Sequence, residues 1–173
     1  MVKKAIFILF IFIGFISCKK EIVKERSIQK VFQVSSVKTY NYNELKLFLE
    51  KKDDKIYVIN FWATWCAPCI KELPYFEKIK QEYANKNVEV LLVSLDFPKQ
   101  VEKKLIPFIN KHKLQSEVVL LDDVNEDVWI KEIDESWSGA LPATIIYNKN
   151  NRKFYEQSFD YKTLESELLA FIQ

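Results

Sequence analysis

Glycine is nearly missing from this chain. Of 173 residues only Gly14 and Gly139 are glycine, and only Gly139 lies beyond the apolar N-terminal run. Loops that cradle phosphates need glycines where the backbone approaches the anion, so nucleotide binding is disfavoured. Histidine is scarcer still, with His112 alone. Cysteine occurs three times, at Cys18, Cys66 and Cys69. Structural zinc wants four ligands, usually a second Cys-x-x-Cys or two histidines, and ligand count sets a metal site aside. An excess of one charge is absent too. Without Lys3 and Lys4 of the leader, the 26 Lys and Arg fall level with the 24 Asp and Glu. Nothing in that balance asks for nucleic acid. Apolar residues are plentiful at 49%, which excludes disorder. The length suits one domain with a sizeable core, plus appendages.

The first appendage is a leader. Lys3 and Lys4 precede an apolar run, Ala5 to Ile16, broken only by Gly14. These twelve residues are too few for a spanning helix, which needs about 20. The pattern predicts a secretory signal peptide over residues 1–17. Phe15-Ile16-Ser17-Cys18 resembles the lipobox of bacterial lipoproteins, with Phe15 where leucine is usual. The resemblance implies cleavage before Cys18 and lipidation of Cys18, which accounts for the unpaired cysteine. Lys19 to Lys30 is charge-rich and patternless, so residues 18–30 read as a lipid-anchored tether. The folded domain is expected over 31–173.

That domain is organised around Val58-Ile59-Asn60-Phe61-Trp62-Ala63-Thr64-Trp65-Cys66-Ala67-Pro68-Cys69. The apolar and β-branched run from Ile56 to Trp62 predicts a strand covered on both faces. Beyond it Ile70, Leu73, Phe76, Ile79 and Tyr83 fall at helical spacing. Cys66 is therefore expected at a helix N-terminus, whose free N–H groups and partial positive charge favour a thiolate. Two intervening residues bring Cys69 back beside it, and Pro68 fits the first helical turn. Pro74 sits in the helix interior, where it breaks a hydrogen bond and kinks the axis. Glu72, three residues beyond Cys69, shares its side of the helix. It fits either a proton carrier for Cys69 with a raised pKa or a first-turn acid complementing the helix dipole.

Elsewhere the pattern predicts an added strand over Val31 to Val37 and a short helix with Tyr42, Leu45, Phe48 and Leu49 inward, capped by Asn41 or Asn43. Val88 to Leu95 reads as a second buried strand. Pro98 opens a helix carrying Val101, Leu105, Phe108, Ile109 and His112 on one face. His112 reads as a core-edge or last-turn histidine, not as a base. Val118 to Leu121 is a third strand. Asp122, Asp123, Glu126 and Asp127 lack the spacing of a calcium loop, and Asp123 reads as a helix cap with Glu126 three residues on. Trp129, Ile133 and Trp137 read as core, with Trp137 bordering the site. Pro142 directly precedes the strand Ala143 to Tyr147, and an X-Pro bond there can be cis. Lys149 to Arg152 makes a hairpin turn. A last helix turns Tyr161, Leu164, Leu168 and Phe171 inward.

Trp62 to Cys69, Pro74 and Leu141-Pro142 resemble the active-site strand and turn, helix proline and cis-proline loop of the thioredoxin fold, over nearly all of residues 40 to 172. Within that fold the chain is similar to the TlpA/ResA-like membrane-tethered disulfide reductases. Asn60 stands at the buried aspartate position of thioredoxin, Glu72 matches the group's glutamate, and Pro98 to Ile133 matches its inserted strand and helix. The resemblance implies an α/β fold, a central mixed β-sheet flanked by helices, with the strand–helix insertion before the cis-Pro strand. It implies a cis bond at Leu141-Pro142, Cys66 as attacking thiol and Cys69 as resolving thiol. Trp65, Pro68, Leu141 and Pro142 then shape the groove. No metal or cofactor is implied. The implied partners are disulfide-containing envelope proteins, a membrane thiol electron donor and, through the lipid, the membrane on the extracytoplasmic, periplasm-facing side of a bacterial envelope. Three rivals stand beside this reductase. One is a thiol oxidase or isomerase using the same dithiol. Another is a thiol peroxidase, whose Pro-x-x-x-Thr-x-x-Cys pattern is not met around Thr64. The third is a redox-inert binding module.

Overall fold

The computed structural model describes residues 33–172. The predicted leader and Cys18 lie outside them. Among the described residues five α-helices and six strands alternate, except that the last two strands follow one another. They are β1 Lys38–Tyr40, α1 Tyr42–Leu49, β2 Ile56–Trp62, α2 Ala67–Glu82, β3 Val88–Ser94, α3 Ile106–His112, β4 Glu117–Leu121, α4 Glu126–Ile133, β5 Ala143–Tyr147, β6 Arg152–Tyr155 and α5 Tyr161–Leu169. The strands form one mixed sheet in the order β1-β4-β3-β2-β5-β6. β1, β4, β3 and β2 are parallel neighbours, and β5 and β6 run antiparallel at the other side.

The pleat of β2 explains the layers. All seven of its residues are buried, because successive side chains enter opposite cores. Ile56, Val58 and Trp62 join Leu73, Phe76 and Ile79 of α2 and Leu164 and Leu168 of α5. Tyr57, Ile59 and Phe61 join Leu45 and Leu49 of α1 and Trp129 and Ile133 of α4. Asn60 has the parity of the first set, which turns its amide toward α2.

Three expectations are corrected. The first strand is Lys38–Tyr40, and residues 33–37 carry no strand. Its three residues are exposed or half-buried at the sheet edge, so no apolar alternation marks it. The helix expected from Pro98 is a 3-10 turn, Pro98–Gln100, a π turn, Val101–Leu105, and only then α3. Pro107 has no N–H for the carbonyl of Lys103, and Ile106 N–H reaches back to Val101 O instead. The N-cap position of α4 is Asn125, not Asp123, and Asp123 bridges two segments, its Oδ1 accepting from the backbone N–H of Asn125 at 2.9 Å and its Oδ2 from that of Tyr42 at 3.0 Å. Trp137 is wholly buried against Phe61, and its indole N–H donates to Ala140 O at 2.9 Å, which supports the cis-proline loop from within the core.

Other local readings hold. Asn41 caps α1 in a reciprocal box with Glu44. The inserted β4 and α4 precede β5, and Leu141-Pro142 is cis. Gly139 has φ +90°, where a side chain is strained, and an added Cβ would lie 3.2 Å from Ile130 Cδ1. His112 is exposed, in the last turn of α3, with its ring stacked on Phe108 at 4.1 Å.

Candidate active site

Cys66 and Cys69 are joined in a disulfide, with Cα atoms 5.3 Å apart. The bond sits where β2 ends and α2 begins. Cys66 N–H donates to Ala63 O at 3.1 Å, which closes the turn after the strand. Cys66 itself is the N-cap of α2, with extended backbone angles. Its Sγ accepts from the backbone N–H of Cys69 at 3.3 Å. A sulfur therefore does here what a serine or aspartate oxygen does at most helix starts. Were that sulfur a thiolate, the same N–H and the helix field would stabilise its charge. Cys69 is fully buried, and Cys66 retains 6% of its surface. Any partner reaches the pair through Cys66.

Behind the disulfide lies a buried carboxyl. Glu72 is 1% exposed and comes from the second turn of α2. Its Oε1 accepts from Asn60 Nδ2 at 2.9 Å, and its Oε2 accepts from the backbone N–H of Phe159 at 2.7 Å. The Asn60 amide also reaches Thr144 Oγ1 at 3.1 Å, its register partner across β2 and β5. Burial disfavours the charged carboxylate and pushes its pKa up to about 7, against the two donors that favour charge. Glu72 is thus a group able to take or give a proton near neutral pH. It lies at the back of a cleft of about 330 Å³ that Pro68, Tyr75 and Phe159 also line. The first-turn dipole reading does not describe it, because a residue so buried and bonded is not a surface acid.

The remaining predicted residues fall around the pair. Trp65 is 56% exposed, Pro68 is exposed, Leu141 is half-buried and Pro142 is buried. Phe61 pairs with Ala143, so the cis-proline loop arrives at the same sheet edge as the dithiol turn. Proline there has no N–H to offer. A larger cleft, about 750 Å³, runs along α2 and the loop after α3 and includes neither cysteine. Exchange between disulfides needs an accessible sulfur rather than a deep pocket.

Sequence reasoning passed over Asp96. It is 2% exposed, just past β3. Its carboxylate accepts from Thr64 N–H at 3.0 Å, Thr64 Oγ at 2.5 Å and Ser94 Oγ at 2.8 Å. It fixes the turn that carries Trp65 and Cys66. The one signal for it is an acid placed directly after an apolar strand.

A disulfide held across the first turn of a helix, on a mixed sheet with a cis-proline loop alongside, defines the thioredoxin-like class. The thioredoxin-related protein of Neisseria meningitidis serogroup B shares this fold with a TM-score of 0.59, at 21% identity over 70% of this chain and 88% of that one. The chain belongs to the AhpC/TSA family, which it matches over residues 28–152. It is similar to the thiol-disulfide oxidoreductase ResA of Bacillus thuringiensis (strain Al Hakam), with 30% identity over 120 residues, 69% of this chain and 64% of the relative. It is similar also to the ResA of Oceanobacillus iheyensis, with 35% identity over 102 residues, 59% of this chain and 48% of the relative. The chain thus spans less than two thirds of the length of these relatives.

Proposed function

We propose that the chain is a thiol-disulfide oxidoreductase that reduces disulfides of envelope proteins. The observation that carries this reading is the Cys66–Cys69 disulfide at the N-cap of α2, with Glu72 buried behind it. In the reduced protein, Cys66 thiolate attacks one sulfur of a substrate disulfide. The substrate S–S bond breaks, its other sulfur leaves and takes a proton, and a mixed disulfide forms. Cys69 then gives its proton to Glu72 and attacks the Cys66 sulfur. The mixed disulfide breaks, the second substrate sulfur leaves as a thiol, and the Cys66–Cys69 bond closes. Two electrons have passed to the substrate. A membrane thiol donor returns them by the same exchange in reverse. Trp65, Pro68, Leu141 and Pro142 frame the approach to Cys66.

The predicted signal peptide, Cys18 lipid and tether over 18–30 would hold the domain on the extracytoplasmic side of a bacterial membrane. Replacing Cys18 with alanine tests this, since the chain should move from the membrane to the soluble fraction.

The activity is tested by the reduction potential of the Cys66–Cys69 couple, read by equilibration in thiol buffers and counting alkylated cysteines by mass. A value near or below about −250 mV supports a reductant. A value near about −120 mV belongs to an oxidant and reverses the assigned direction.

A further inference from the structure

Three loops meet at one edge of the sheet. The dithiol turn follows β2, and the loop after β3 runs beside it because Trp62 pairs with Ser94 in parallel register. On the other flank, the cis-proline loop enters β5 opposite Phe61. The first two loops are also tied together, since Leu95 N–H donates to Trp62 O at 2.8 Å and Asp96 holds the N–H and hydroxyl of Thr64. Thr64 and Asp96 are each followed by an aromatic. Trp65 follows Thr64 and is 56% exposed, and Phe97 follows Asp96 and is 62% exposed. Among the described residues these are the two aromatic side chains with more than half their surface open to solvent. Neither helps the core. Trp65 precedes Cys66 in the chain and Phe97 lies on the loop tied to the same turn, and a substrate must reach the sulfur of Cys66 although only 6% of that residue is exposed.

We infer that Phe97 is a specificity-determining contact that selects substrates carrying an apolar residue next to the cysteine under attack. The inference rests on the activity proposed above. A substrate chain seated between the cis-proline loop and the dithiol turn has its flanking side chains laid over Leu141 on one side and over Trp65 and Phe97 on the other. An apolar neighbour covers those rings and removes them from water, whereas a charged or small polar one does not. The Asp96 bonds hold Phe97 in place beforehand, so little ordering is needed when substrate arrives.

The test uses the full chain, pre-reduced with excess dithiol and freed of it. Two synthetic peptide disulfides of equal length serve as probes, one with leucine and phenylalanine flanking each cysteine, the other with serine. The ratio of second-order single-turnover rate constants for the two, read by stopped flow with peptide in excess, is compared in the wild type, Phe97→Ser, Phe97→Leu and Val128→Ser, the last an exposed apolar residue on α4. The expected result is a preference of about tenfold for the apolar peptide, carried by the half-saturating peptide concentration rather than by the limiting rate, and falling to about twofold or less in Phe97→Ser. Phe97→Leu should keep most of it and Val128→Ser all of it. A ratio unchanged in Phe97→Ser overturns the inference and leaves the activity standing. A wild type that reduces neither peptide overturns the activity, and this inference with it.

Discussion

Asn60 donates from Nδ2 to Glu72 Oε1 at 2.9 Å, joining the central strand to the helix that carries both cysteines. The bond favours the charged carboxylate, against the burial that opposes it. In Asn60→Ala the carboxyl keeps only the Phe159 N–H. Its titration should move above the present value of about 7 by roughly one pH unit, the size of one hydrogen bond to a charged group. A carbon-detected NMR titration of Glu72 reads this directly. An unmoved midpoint would mean that the amide contributes nothing to the proton affinity.

The raised pKa also makes stability depend on pH. Folded Glu72 holds its proton up to about pH 7, whereas the unfolded carboxyl releases it near 4.5. Between those values the folded state binds more protons, so stability must fall as pH rises. The loss amounts to at most about 3 kcal/mol across the window. Urea midpoints of the wild type and Glu72→Gln, taken from pH 4 to 8, should therefore differ in slope within it. Parallel curves would sink the assignment of a raised pKa.

Removing the resolving thiol should trap the exchange half-way. In Cys69→Ala, Cys66 still attacks but nothing releases the substrate. Mixed disulfides are expected to accumulate, visible on non-reducing gels and absent from Cys66→Ser. If Cys66→Ser forms them and Cys69→Ala does not, the two roles are reversed.

Asp96 is expected to act on the turn as a structural anchor. In Asp96→Ala, the Thr64 N–H, the Thr64 hydroxyl and the Ser94 hydroxyl lose their shared acceptor. Buried donors left unmatched cost about 2–4 kcal/mol in total, measured by urea denaturation. Val124→Ala, at a position 91% exposed, should change stability by no more than about 0.5 kcal/mol. A loss of that small size in Asp96→Ala would show that water replaces the carboxylate.

Much of this site is readable from local spacing. The interval from Cys66 to Cys69 sets the disulfide, and three further residues along the helix place Glu72 behind it. The unbroken apolar run of β2 announces a strand buried on both faces. What escapes reading depends on distant partners. Asp96 is indistinguishable from an ordinary strand-ending acid until β3 lies beside β2 and delivers it to Thr64, 32 positions earlier. Asp123 looks like an acid serving only its own helix start, and folding gives its second oxygen to the N–H of Tyr42, 81 positions earlier. β1 escapes because an edge strand of three residues buries too little to show a period. The break before α3 was legible in principle, since Pro107 alone dictates it.

The partners of β1 and α1 fix an order of events during synthesis. β1 pairs with residues 119–121. Tyr42 N–H waits for Asp123, Lys46 for Glu132, and the carbonyl of Phe48 for the hydroxyl of Tyr147. Chains grow from the N-terminus, so the first folded segment to be made finds none of these partners until most of the domain has followed it. A nascent chain, or a fragment cut before residue 117, therefore lacks every hydrogen-bonding partner that seats its opening strand and helix. The strand and helix made first are among the late ones to dock.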